Sequence, residues 1–247
     1  MVIGGSDCLL NERRAWFARV VSDAPTRWVV SVDKEGAGDD PNVCADTYER
    51  TSLEAQRALD HVRAVRWLRR NLTLVEAPAV DVMATSAGGN AACALAGATE
   101  EVASVMLLST GGGRPFDADM RALTENAGAI ASHLDRVEQS PRIGETWLGN
   151  SNPEIWWWSA LPLTCAPQMA GWRGPVLILQ GSDDTSIPAE SSRLLARQLE
   201  DHPGVTVDYR ELPGAGHDLF IGAARKPDEG DGLTQALDWL SQTVATD

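Results

Sequence analysis

Lysine is nearly missing from this 247-residue chain: Lys34 and Lys226 are its only two, and arginine supplies the rest of the 21 basic side chains. Against them stand 35 acidic residues, for a net charge of −14 and a pI near 4.7. Nucleic acids and anionic membrane surfaces both require a basic face, so neither is expected as a partner. The acidity reads as a well-solvated surface. No apolar run reaches the roughly 18 residues that would suggest a membrane span. Met1 opens onto Val2-Ile3-Gly4-Gly5 rather than the basic stretch of an export signal, which points to the cytoplasm. Cysteine is sparse: Cys8, Cys44, Cys93 and Cys165 show neither Cys-x-x-Cys nor ligand-like spacing. In a chain this long they make no disulfide framework and read as reduced thiols, and neither metal nor cofactor is expected. Internal repeats and low-complexity linkers are lacking as well. What is present is a 43% hydrophobic composition, enough for one large domain or a domain with an insertion.

The most informative stretch runs from Val80 to Asn90. Val80 to Ala84 is short, mostly apolar and partly β-branched, as a buried parallel strand should be. Ala87 to Ala96 is rich in alanine and free of proline, which predicts a helix opened by Gly88 and Gly89 and stopped at Gly97. Ser86, between the two, would sit on a sharp turn with its hydroxyl outward at the positive end of the helix. Ala84-Thr85-Ser86-Ala87-Gly88 has the small-x-Ser-x-Gly pattern of a nucleophile elbow, with Ala84 where glycine is usual. The flanking residues are small because the turn brings strand and helix backbones together. The competing reading is an ordinary strand–helix turn with an incidental serine.

Along the rest of the chain, Val2-Ile3 is a strand remnant ending at Gly4-Gly5-Ser6-Asp7. An amphipathic segment follows from Leu10 to Val21, with Leu10, Phe17 and Val21 on one side. Trp28 to Val32 is a further strand. Thr51-Ser52-Leu53-Glu54 has capping-box spacing, and Ala55, Ala58, Leu59, Val62 and Val65 then recur at helical intervals. His61 lies beside that stripe and reads as structural. After the Ser86 unit comes the strand Val102 to Leu108, ending at Gly111-Gly112-Gly113. Strand–helix alternation at this spacing predicts a parallel sheet with helices on both faces. The alternation stops from Arg114 to Gly174, where there are helix-like pieces between Ala118 and Val137 and the run Trp156-Trp157-Trp158. It resumes with the strand Pro175 to Gln180, a helix from Ala189 to Leu199, the strand Val205 to Tyr209 and a helix from Leu233 to Val244.

Two more motifs fall at strand ends. Gly181-Ser182-Asp183-Asp184-Thr185-Ser186-Ile187-Pro188 follows the resumed strand, and Gly214-Ala215-Gly216-His217 follows the last one. In open α/β sheets reactive groups gather at the carboxyl ends of strands, and Ser86, Asp184 and His217 all fall there, in that order. Ser86 would attack, His217 would take its proton, and Asp184 would fix the imidazole tautomer. Asp183 is the rival acid, though Gly-x-x-Asp spacing favours Asp184. Alternatively, the acidic loop and the histidine are ordinary surface features. His133 and His202 receive no role. An oxyanion would need backbone donors: the N–H of Ala87 is one, and Gly5 or Ser6 is the candidate for the other.

As a set, Ala84 to Asn90, Gly181 to Pro188 and Gly214 to His217 resemble the α/β-hydrolase superfamily, over the framework from Val2 to Val244 apart from the insertion. The resemblance implies an α/β fold with a mostly parallel sheet of about six strands flanked by helices. Its core would be residues 1–113 and 175–247. Residues 114–174 would form a helical lid, with Trp147, Trp156, Trp157 and Trp158 near the substrate. The chain would start at the third strand of the full fold, leaving a more exposed sheet edge. Gly4-Gly5-Ser6-Asp7 with Glu12, and Val32 to Asp39, look more narrowly like the branch of dihydroxypseudooxynicotine hydrolases and fungal pigment chain-shortening hydrolases, which includes carbon–carbon hydrolases. The expected activity is a serine hydrolase without metal or cofactor. It would cleave an ester, thioester or activated ketone of a largely apolar small molecule, aromatic ones included. The alternatives are a carbon–carbon hydrolase acting on a polyketide-like diketone, or a non-hydrolytic cyclase or binding protein on the same fold.

Overall fold

Five aliphatic runs pair side by side, in chain order and all parallel: β1 (Val2–Ile3), β2 (Val80–Thr85), β3 (Val102–Leu108), β4 (Gly174–Gly181) and β5 (Val205–Leu212). This is a computed structural model, which describes residues 1–71, 79–123, 127–146, 152–219 and 231–244. The helices are α1 (Ala15–Asp23), α2 (Asp46–Thr51), α3 (Glu54–Asn71), α4 (Gly88–Ala98), α5 (Phe116–Ala122), α6 (Ala127–Gln139), α7 (Glu154–Ala160), α8 (Cys165–Gln168), α9 (Ala189–Glu200) and α10 (Gly232–Val244).

Side chains alternate across a strand, and the core divides accordingly. Ile3, Val82, Ala84, Val105, Leu107, Val176 and Ile178 face α3, α4 and α9 through Val62, Val65, Leu95, Leu195 and Leu199. Val2, Met83, Met106, Leu108, Leu177 and Leu179 face the other way, onto Val20 of α1 and Leu233, Ala236, Trp239 and Leu240 of α10. The sheet thus has helices on both faces, as the α/β-hydrolase fold requires.

Several local expectations are corrected. Among the described residues the sheet has five strands rather than about six. Trp28 to Val32 touches β1 only through the Val2–Ser31 bridge and one bond from the Val2 N–H to the Val30 carbonyl at 2.8 Å. β1 is two residues long and offers no longer ladder, and Trp28 is 77% exposed. In α1 the buried residue is Val20, while Val21 faces solvent. Thr51 does not cap α3: it ends α2, and its hydroxyl donates back to the Thr47 carbonyl at 2.7 Å. Gly97 lies inside α4, not at its stop. A β-carbon there would stand 1.8 Å from the Gln168 carbonyl oxygen, so the glycine is what lets α4 and α8 touch.

The cysteines also differ from expectation. They are not free thiols: Cys8 bonds Cys44 and Cys93 bonds Cys165, with Cα atoms 5.7 and 5.4 Å apart. The partners lie 36 and 72 residues apart in sequence, so the pairing follows from the fold and no spacing motif could announce it. The second bond ties α4 to the start of α8.

Residues 114–174 carry α5 to α8. Leu134 and Val137 of α6 and Trp156, Trp157 and Ala160 of α7 form a cluster that reaches Ala87. The buried carboxylate of Glu154 joins the two helices. It accepts from Arg136 Nη1 at 2.8 Å and from the backbone N–H and Nη2 of Arg142 at 2.9 and 2.8 Å. The Arg136 hydrogen bond, helped by Arg142, holds this carboxyl well below the usual carboxylate range despite burial.

Candidate active site

Ser86 follows the last residue of β2 and has φ of 51°, a conformation rare for a residue with a β-carbon. The strained turn is enforced from beneath. A β-carbon on Gly88 would lie 2.5 Å from the Gly4 carbonyl oxygen and 2.7 Å from that of Ile3, so strand β1 leaves room only for glycine. The Ser86 hydroxyl is 3.0 Å from His217 Nε2, and His217 Nδ1 is 2.9 and 3.1 Å from the two Asp184 oxygens. The structure therefore brings together the three side chains singled out from sequence. The Asp183 carboxylate instead accepts from the Ser182 hydroxyl at 2.8 Å.

Asp184 is held on every side. Its Oδ1 accepts the N–H groups of Ser186 and Ile187 at 2.8 and 2.9 Å, and its Oδ2 accepts from Gln180 Nε2 at 2.8 Å. Gln180 is itself fixed by the Ser192 hydroxyl, which donates to its Oε1 at 2.8 Å. Burial pushes the Asp184 carboxyl up, but the His217 hydrogen bond and charge, with the two backbone N–H groups, outweigh it and leave the pKa below its ordinary value. A carboxylate that stays ionised favours one imidazole tautomer, with the proton on Nδ1 and the lone pair of Nε2 toward Ser86. Such a chain can draw the proton from the Ser86 hydroxyl as the oxygen attacks.

A cavity of about 350 Å³ opens at Ser86 and His217. Ser6 and Ala87, two of the candidate oxyanion donors, line it. Gly5 lies alongside, where an added β-carbon would be 3.5 Å from Ser86 Cβ. One wall is aromatic: Phe116 stacks on Trp157 at 5.7 Å between ring centroids, and Trp156 meets both rings edge-on. Of the three tryptophans in sequence, Trp156 and Trp157 are buried in this wall, while Trp158 is 46% exposed and outside it. Trp147 falls outside the described residues. Polar side chains line the cavity as well. There Arg114 donates through Nε to Asp119 at 2.5 Å, and Asp119 also accepts from Ser191 at 2.6 Å.

Other contributors escaped the sequence reading. Gln180 was the more accessible, a lone amide near the end of an apolar strand. Phe116, Arg114 and Asn152 carry no local pattern that marks them as cavity residues. Two further histidines lie in other surroundings. His61 is buried, its Nδ1 is 2.7 Å from the Arg57 carbonyl oxygen, and burial together with the Arg57 charge pushes its pKa down to about 4. His133 sits beside Arg136 and Glu154, away from Ser86. Among the described residues no cluster of His, Cys, Asp and Glu could hold a metal ion, and no helix is long and apolar enough to cross a membrane.

Residues 4–229 match the sequence model of a family described as "Alpha/beta hydrolase family". No curated protein matches the chain by sequence. Among solved structures, the protein is similar to Est1E from Butyrivibrio proteoclasticus, solved with ferulic acid bound. The TM-score is 0.66 at 16% identity, covering 99% of this chain and 88% of that one. A monoacylglycerol lipase from Paleococcus ferrophilus gives 0.62 at 16% identity, over 98% and 93%. A putative non-heme bromoperoxidase from Mycobacterium tuberculosis H37Rv gives 0.59 at 18% identity, over 98% and 91%. At such identities the likeness is one of fold.

Proposed function

The chain belongs to the alpha/beta hydrolase family, and from that premise we propose that it is a serine hydrolase acting on an ester or thioester of a small, partly aromatic molecule. The observation that carries this reading is the 3.0 Å contact between the Ser86 hydroxyl and His217 Nε2 at the mouth of the aromatic-walled cavity. Ser86 attacks the acyl carbon. His217 accepts its proton and returns it to the leaving group, while Asp184 stabilises the charged imidazole. The N–H of Ala87 and one from Gly5 or Ser6 receive the developing oxyanion. Residues 114–174 act as the lid. A cavity of about 350 Å³ is at the lower end for small-molecule sites, which favours one ring with a short chain over a long acyl group.

The loop likeness of Gly4 to Asp7 and Val32 to Asp39 favours a second reading, hydrolysis of a carbon–carbon bond beside a ketone in a polyketide-like diketone. The same nucleophile and oxyanion donors would serve it. The two disulfides bear on location: such bonds persist in oxidising compartments, which weighs against the cytoplasmic expectation.

A panel of chromogenic esters, graded from acetate to bulky aryl acyl groups and run beside an aryl diketone, tests the proposal. Ester turnover that is lost in Ser86→Ala supports it, and diketone cleavage without ester turnover favours the second reading. The same panel assigns the tryptophans. Trp157→Ala should raise KM for bulky aromatic substrates more than for acetate, at a stability cost of up to about 3–5 kcal/mol for so buried a ring. Trp158→Ala should leave both KM values and the melting temperature near wild type. Equal impairment of every substrate in Trp157→Ala would make that ring scaffold only.

A further inference from the structure

Four consecutive carbonyls of the loop after β1 are gripped by three side chains drawn from distant parts of the chain. Arg57 of α3 donates through Nη2 to the Gly4 oxygen and, at 3.2 Å, to the Gly5 oxygen. The Tyr48 hydroxyl of α2 donates to the Ser6 oxygen and lies 3.2 Å from Asn152 Oδ1. Lys34 Nζ donates to the Asp7 oxygen. Asn152 in turn donates to the Ser6 hydroxyl at 3.0 Å.

Every described peptide bond here is trans, and in a planar trans peptide the N–H points opposite to the C=O. Arg57 on the Gly4 and Gly5 carbonyls therefore turns the N–H groups of both Gly5 and Ser6 away from its guanidinium. Ser6 lines the cavity at Ser86, and a β-carbon on Gly5 would lie 3.5 Å from Ser86 Cβ. We propose that Arg57 and Tyr48, with Lys34 behind them, form a carbonyl clamp whose task is to hold the Gly5–Ser6 backbone, and with it the second oxyanion donor, in place. This rests on the reading of Ser86 as nucleophile.

Stability alone accounts poorly for Arg57. It is buried, its Nε makes no hydrogen bond among the described residues, and its Nη1 only approaches Glu54 Oε1 at 3.6 Å. The same Glu54 oxygen accepts the Trp156 indole N–H at 2.5 Å. A buried cation with unmet donors is a net cost, which a preorganised oxyanion site would justify. The same contacts join the clamp to the aromatic wall through Trp156.

Tyr48→Phe removes a single oxygen and keeps the ring; Arg57→Gln removes the main grip. Both are to be assayed with a short chromogenic ester, with a trifluoromethyl ketone whose adduct on a serine carries an oxyanion, and by melting temperature. Loosening the donor without deleting it should lower kcat by about 10- to 100-fold, somewhat less than outright removal of such a donor. KM should be unchanged, and ketone affinity should fall by the same factor as kcat. Tyr48→Phe should melt close to wild type, so it decides the matter if Arg57→Gln does not fold. Unchanged kcat and ketone affinity in folded Tyr48→Phe, in an enzyme whose Ser86 still reacts with a fluorophosphonate, would overturn the clamp alone. A wild-type protein that neither turns over ester nor reacts with the probe would overturn the Ser86 reading and the clamp with it.

Discussion

Ser86→Ala and His217→Ala should each lower kcat at least about a thousandfold, and the double variant should be scarcely worse than either, because nucleophile and base act as one unit. The geometry motivates this: hydroxyl and imidazole are 3.0 Å apart, and the strained φ of Ser86 presents the oxygen to the cavity. Neither change should disturb folding, since neither side chain belongs to the two sheet-face clusters. Steady-state rates on a short ester, with melting curves as control, check it. Near-wild-type turnover in either folded variant would remove the mechanism.

Asp184→Asn should be nearly as severe, roughly a 10⁴-fold loss in kcat, since an amide at this place supports the wrong imidazole tautomer. Asp183→Asn should stay close to wild type, because the Asp183 carboxylate accepts from the Ser182 hydroxyl while His217 Nδ1 meets Asp184. The reverse outcome would exchange their roles. A second readout follows from the depressed pKa of Asp184. A carboxyl with a native pKa below its unfolded value of about 3.9 stabilises the fold fully above that value and loses the contribution as pH falls through the native pKa. The melting temperature of Asp184→Asn should therefore fall less than that of wild type between neutral pH and about pH 3.

Much of the fold was legible because parallel strands and their crossover helices have strong local signatures. β3 runs over the stretch read from sequence, and β4, α9 and α10 end within a residue or two of it. The three proposed catalytic positions were legible for a related reason, since each sits where an apolar run breaks into glycine and polar residues. What stayed hidden depends on approach between remote segments. Gly97 looks like a helix stop until the Gln168 carbonyl is seen against it. Trp28 to Val32 has the composition of a strand but finds only a two-residue neighbour. Tyr48, Arg57 and Asn152 reach the loop at Gly4 to Ser6 across sequence separations of 42, 53 and 146 residues. No periodicity or motif connects positions so far apart. The disulfides escaped for the same reason.

The most direct test of Ser86 as an activated nucleophile is peptide mass spectrometry after brief treatment with a fluorophosphonate at neutral pH. The hydroxyl displaces fluoride at phosphorus and His217 takes its proton, the same use of nucleophile and base that acyl transfer requires. The expected result is a single phosphonylated site at Ser86 in the wild-type protein, lost in Ser86→Ala and strongly slowed in His217→Ala. An unmodified Ser86 in folded wild-type protein, or labelling that proceeds as fast without His217, would contradict the account.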